Sequence, residues 1–231
     1  MARQYAEHGT YFWDRLNCAP SGRPNPQGPL LHYATAILGR TLGGSGDSHV
    51  LAFSLLAVLQ WAAAVFTAVF FARRFGGDWA GLFAAALFTG GVYSAGSFFV
   101  GVPSGWIFIL TAWAIFFFLE DRVLLSAGFT TAVVYVHLGG ITTAPFGVFL
   151  AAVLTRRWRN LLKVGAITAV LAAPYMIHFL KSLDYYVGRR GNVAGSADFL
   201  IYVLALPGLI LLLRKPRENT LLLAWAGAPA T

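Results

Sequence analysis

A single cysteine, Cys18, rules out an intramolecular disulfide framework. The chain also lacks a phosphate-cradling P-loop, an HExxH or Cys-His metal spacing, and a nucleophile elbow. No stretch alternates apolar and polar residues as the strands of a membrane barrel do. No basic module interleaved with aromatics is present to grip nucleic acid, so the net charge of +8 needs another explanation. What the chain has in excess is apolar surface. A hydrophobic fraction of 58% and a mean hydropathy of +0.66 over 231 residues exceed what a water-soluble interior can hide.

That excess is organised into runs. Val50–Ala72 is the cleanest, with Gln60 as its one strongly polar residue. Trp79–Phe99, Gly105–Leu119, Val123–Leu138, Ile141–Leu154, Leu161–Phe179 and Phe199–Leu213 follow, and an eighth run opens at Leu221. A helix needs about 20 apolar residues to cross a hydrocarbon core of about 30 Å. The fold class expected is therefore all-α, a polytopic transmembrane helical bundle of about seven to eight spans. Several runs are shorter than the ideal, and their Ala and Gly content suits close helix packing.

Charge orients the bundle. Arg73, Arg74, Arg122, Arg156, Arg157, Arg159, Lys163, Arg214, Lys215 and Arg217 fall in alternate junctions, all on one face by parity. The intervening short junctions, 100–104 and Gly139–Gly140, carry no Lys or Arg. Basic short loops stay in the cytoplasm, so the net charge reads as topology. The longer segment 181–198 places Lys181, Arg189 and Arg190 on the opposite face. The same parity puts residues 1–48 outside the cytoplasm, ahead of a transmembrane domain over 49–231. No apolar segment precedes them and no signal peptide is visible. The expected explanation is a piece of a larger plasma-membrane protein, trimmed at both ends.

Residues 1–48 differ from the rest. They hold two of the five His and the turn-rich run Ala19–Pro26. Pro29 marks a helix start, and Leu30, Leu31, Ala34, Ile37 and Leu38 recur at helical spacing until Gly39, Gly43 and Gly44. The stripe is too short to span, which predicts a helix lying on the membrane surface.

The run from Ala2 to Leu38 resembles the first extracytoplasmic loop of the GT-C superfamily of glycosyltransferases. The matching residues are Trp13-Asp14, Gly22-Arg23-Pro24 and Pro29-Leu30-Leu31-His32. The superfamily includes the oligosaccharyltransferase catalytic subunit and protein O-mannosyltransferases. The resemblance implies transfer of a sugar from a polyprenyl-phosphate or polyprenyl-diphosphate donor to an acceptor protein or glycan at the outer face. It also implies an essential carboxylate just upstream of Met1. The oligosaccharyltransferase branch pairs carboxylates on a metal, whereas the junction Ser97–Ser104 here has no acid. No metal ligand set is visible, and a divalent cofactor stays open.

Such transfer needs a base, a cation for the leaving phosphate and a groove for the isoprenoid. Asp14 is the remaining candidate acid, with an ion pair to Arg15 as its ordinary alternative. Arg23 suits a phosphate, or simply faces water. His32 opens the surface helix, where a satisfied polar role is as ordinary. His137 ends the fourth span, where ionisable groups are costly unless used. His178 and Lys181 end the sixth, followed by Arg189 and Arg190; an aromatic belt with snorkelling cations is the alternative. A transporter or permease and a non-enzymatic membrane protein remain the competing functions. Transporters favour polar residues at the midplane, and here Gln60 and a few hydroxyls are all that lie deep.

Overall fold

The computed structural model describes residues 28–90, 103–137, 140–181 and 218–227, with short pieces at 7, 13–14, 23–24, 213 and 215–216. Among these the chain is helical, apart from one two-residue strand pair, β1 (Trp13–Asp14) and β2 (Arg23–Pro24). The helices are α1 (Pro29–Thr41), α2 (Gly46–Gly90), α3 (Pro103–Leu119), α4 (Val123–Val136), α5 (Gly140–Thr155), α6 (Trp158–Lys181) and α7 (Thr220–Gly227). Two stretches are long and apolar enough to cross a membrane, Gly46–Ala86 within α2 and Trp158–Lys181. α3, α4 and α5 are apolar but shorter, about 21–26 Å at 1.5 Å per residue.

α2 is broken at Gly77, whose φ of 77° and ψ of −173° leave the helical region. Both expected runs, Val50–Ala72 and Trp79 onward, thus survive as two limbs. The aliphatic stem of Arg73 packs against Gly81. A straight helix would hold those residues about 12 Å apart, so the chain turns sharply here. Only glycine adopts the Gly77 conformation without strain.

Three helix ends share one device. α1 closes with Gly43 in the left-handed region, the Gly44 N–H donating to the Gly39 carbonyl and the Gly43 N–H to Arg40. α3 closes the same way around Asp121 (φ 59°), with Arg122 N–H to Phe117 and Asp121 N–H to Phe118. α5 closes around Arg156 (φ 60°), with Arg157 N–H to Ala152. These are Schellman ends, which satisfy the last carbonyls and reverse the chain within two or three residues. α3–α4 and α5–α6 are therefore tight hairpins.

The hairpin turns meet. Arg74 pairs with Glu120 at 2.8 Å, and its guanidinium lies over the Phe116 ring. Arg157 reaches Asp121 at 3.0 Å and also donates to the carbonyls of Phe118 and Leu119. Asn160 donates to the same Asp121 carboxylate at 2.7 Å. The α2 bend and both turns thus form one charged end. The three basic residues of these contacts and the bend, Arg73, Arg74 and Arg157, are ones that chain parity assigns to a single face.

Between the ends, the first limb of α2 and α3 run parallel. Thr67 accepts from the Trp113 indole, and Arg74 from one rung on meets Glu120, each 46 residues apart. Seven-residue steps are the coiled-coil repeat, and the next step places buried Gln60 level with Trp106. Phe71, Ile115, Phe118, Val148 and Leu221 fill the core with alanines of α3, α5 and α7. Small residues let these backbones approach closely. The outside is apolar too: Trp79 is 75% exposed, Val170 73% and Phe83 67%. Surfaces of that kind are not stable against water over a large area.

Candidate functional site

At the end opposite the charged turns, α4 finishes, α5 starts, α6 finishes and α1 begins. Gly28 lies directly on the carbonyls of Tyr135 and Val136, where a β-carbon would collide with main chain. Gly140 sits as tightly on Val133. These contacts fix α1 and the α5 start against the end of α4. His137 caps α4 in extended conformation (φ −155°, ψ 149°), its N–H donating to Val133 and its carbonyl accepting from Gly140 at 2.9 Å.

α6 arrives beside α4. Tyr135 and buried Tyr175 stack with centroids 5.5 Å apart, and the Tyr135 hydroxyl donates to the Leu171 carbonyl at 3.0 Å. That bond sits beside Pro174, which lacks an N–H and interrupts the helix ladder. His178 and Lys181 follow within two turns, the first half-buried and the second exposed. His137 at the end of α4 and His178 and Lys181 at the end of α6 therefore share one end.

Beneath them runs an apolar groove of about 270 Å³ between α4, α5 and α6, lined by Val134, Ile141, Pro145, Val148, Gly165 and Met176 among others. Its two threonines do not make it polar. Thr130 donates to the Ser126 carbonyl at 2.8 Å and Thr168 to Ala127 at 3.5 Å. A groove without free polar partners holds hydrocarbon better than water. Gly165 leaves it wide, since nothing lies within 4 Å of where its β-carbon would be.

α1 supplies the third side. Pro29, Leu31, Thr35, Ala36 and Gly39 face the protein, and Gly39 abuts the His49 ring, which a β-carbon would approach to 2.7 Å. Gly39 is thus a contact glycine inside the helix; the helix stops later, at the Gly43–Gly44 turn. His32 is half-buried, and burial above all depresses its pKa to about 4. It is neutral at pH 7: a hydrogen-bonding group rather than a cation. Burial raises the Tyr33 pKa, keeping its phenol protonated.

In the loop, β1 and β2 pair antiparallel with Asp14 opposite Arg23. Sequence spacing had not linked them: eight residues intervene, and a two-residue ladder leaves no periodic signal. Arg189, Arg190 and the span Phe199–Leu213 lie outside the described residues, apart from Leu213 itself. Among the described residues no group of three His, Cys, Asp or Glu side chains could hold a metal ion. Tyr135 and Tyr175 were missed by sequence reasoning. Two tyrosines ending apolar runs of equal sense were the available signal. No protein-family model, curated protein or solved structure matches this chain.

Proposed function

We propose that the chain is the membrane core of a GT-C-like glycosyltransferase, moving a sugar from a polyprenyl-phosphate donor to an acceptor at the extracytoplasmic face. In this reading the bundle crosses the plasma membrane about seven to eight times. The charged turns face the cytoplasm, and residues 1–48 lie outside. Lipid then covers the apolar exterior. The observation that supports it most is that His137, His178 and Lys181 gather at the end away from the ion pairs, on two of the helices, α4 and α6, that also line an apolar groove.

Each part has work to do. The groove takes the first isoprene units of the donor, and Lys181 with Arg23 neutralises the phosphate. His137 and neutral His32 hydrogen-bond the sugar without competing for that phosphate. The acceptor oxygen bonds to the anomeric carbon as the carbon–oxygen bond to phosphate breaks. Polyprenyl phosphate leaves, and the acceptor proton passes to a carboxylate. Asp14, opposite Arg23, is the candidate acid of the loop.

A photoactivatable polyprenyl phosphate tests the reading on this chain in nanodiscs. Labelling is expected at Gly165 and its neighbours, and Gly165→Trp, which enters open space, should cut it about tenfold. Lys181→Gln should weaken labelling about fivefold, the worth of one charge near a phosphate. Labelling indifferent to both substitutions overturns the reading. Solute flux through proteoliposomes carrying the chain would favour a transporter instead.

A further inference from the structure

We infer that the charged end carries a binding surface for anionic phospholipid of the cytoplasmic leaflet, built by the turns between α3 and α4 and between α5 and α6. This rests on the membrane orientation proposed above and is independent of sugar transfer.

The argument starts from how the charges at this end are spent. Its described carboxylates are all engaged: Asp78 by Arg73, Glu120 by Arg74, Asp121 by Arg157 and Asn160. Four cations remain exposed and, among the described residues, without a carboxylate: Arg122, Arg156, Arg159 and Lys163. They are not scattered. Arg122 follows Asp121 in the chain, while Arg156 and Arg159 flank Arg157 and Asn160, both of which hold Asp121. Lys163 lies one turn beyond Arg159 on the same face of α6.

That face points away from the bundle, opposite buried Val164, Thr168, Ala172 and Tyr175. It changes character along its length. Arg159 and Lys163, with Leu162, 72% exposed, between them in the chain, give way to Val170, 73% exposed. Leu124, 75% exposed, plays the same part on α4. Trp158, 49% exposed, opens α6 beside these cations, as an amphipathic ring does at a bilayer interface. Cations at one level with apolar side chains directly above them match one occupant, a phosphate headgroup with its acyl chains. A soluble acidic partner would leave Leu124, Leu162 and Val170 unanswered.

Several free cations around one ion pair also give the surface a use. An anionic headgroup bound across Arg122 and Arg159 would tie the two hairpins together where Arg157 and Asp121 already join them.

The test uses the full chain in nanodiscs with zwitterionic lipid, titrated with spin-labelled phosphatidylglycerol or phosphatidylcholine. A preference for phosphatidylglycerol is expected, falling as salt rises. The substitution R122Q/R156Q/R159Q/K163Q should abolish it. Single K163Q should reduce it about fivefold, the effect of one charge near an anionic surface. Arg40→Gln, a control cation on α1 at the other end, should leave it unchanged. Thermal unfolding confirms that each variant is folded; if the quadruple variant is not, the single substitution decides. Equal affinity for both lipids, a preference that survives K163Q, or an equal loss in Arg40→Gln overturns the inference. So does displacement by inorganic phosphate at constant ionic strength, which would mark a phosphate site rather than a lipid surface.

Discussion

The two ends of the bundle are held by opposite means. At the charged end, long side chains reach across turns: Arg74 to Glu120, and Arg157 to Asp121 and two carbonyls. At the other end, backbone touches backbone, with Gly28 on Tyr135 and Val136, and Gly140 on Val133. Exposed ion pairs tolerate adjustment, because solvent replaces what is lost. Main-chain contact has no slack. The stiff end is the one that positions His32 and His137, where precision would serve the proposed sugar site.

The sharpest way to break this comparison is to add one carbon at the stiff end. Gly140→Ala or Gly28→Ala should cost about 3 kcal/mol, since the atoms met are main chain and cannot rotate away. Gly128→Ala in α4 meets nothing within 4 Å and should be neutral or stabilise by up to about 1 kcal/mol through helix propensity. Thermal unfolding in detergent reads both. Equal effects at Gly140 and Gly128 would mean the close approach is not what holds this end.

At the charged end the largest effect belongs to Arg157, the half-buried guanidinium that also caps the carbonyls closing α3. Arg157→Ala should cost about 2 kcal/mol, more than an exposed pair but less than Gly140→Ala. Arg157→Lys should recover little, because one ammonium cannot serve carboxylate and carbonyls in a fixed fork. A full recovery would reduce Arg157 to a simple charge.

Acid separates the ends as well. The His32 pKa falls from 6.5 to about 4 on folding, so the unfolded chain binds more protons between those values. The stability from keeping His32 neutral is complete above pH 6.5 and is lost as pH falls towards 4. His32→Gln should flatten the pH dependence of unfolding over that window by about 1–2 kcal/mol. An unchanged profile would show that His32 is wet.

How much of this was readable beforehand follows the same division. Helix existence and boundaries came through well: α3, α4, α5 and α6 begin or end within three residues of their apolar runs. Alternating basic junctions also gave the gathering of Arg74, Arg122 and Arg157 at one end, because charge and hydropathy are properties of single residues. The site was less legible. The Asp14–Arg23 register and the seat of Gly28 on α4 depend on contacts between distant residues, and neither leaves a period in the chain. Gly39 misled for a related reason: a glycine inside a helix and one ending it look alike until its neighbour, here His49, is known. Arg156 was read as a topogenic charge, and nothing in its type or that of Asp121 announced a left-handed backbone.

Those two left-handed residues supply the smallest and most discriminating contrast within the charged end. A non-glycine residue at that position costs about 1 kcal/mol relative to glycine. Arg156 is exposed and bonds to no carboxylate among the described residues, so Arg156→Gly should stabilise the α5–α6 turn by about 0.5–1 kcal/mol. Asp121→Gly gains the same backbone relief but releases Arg157 and Asn160, and should destabilise by about 0.5 kcal/mol net. The opposite signs carry the argument. If both substitutions stabilise, the Asp121 ion pair contributes nothing and the charged end is held by its Schellman turns alone. If both destabilise, the Arg156 charge is already engaged, which an anionic headgroup at that turn would explain; repeating the measurement in lipid-free detergent should then restore the gain.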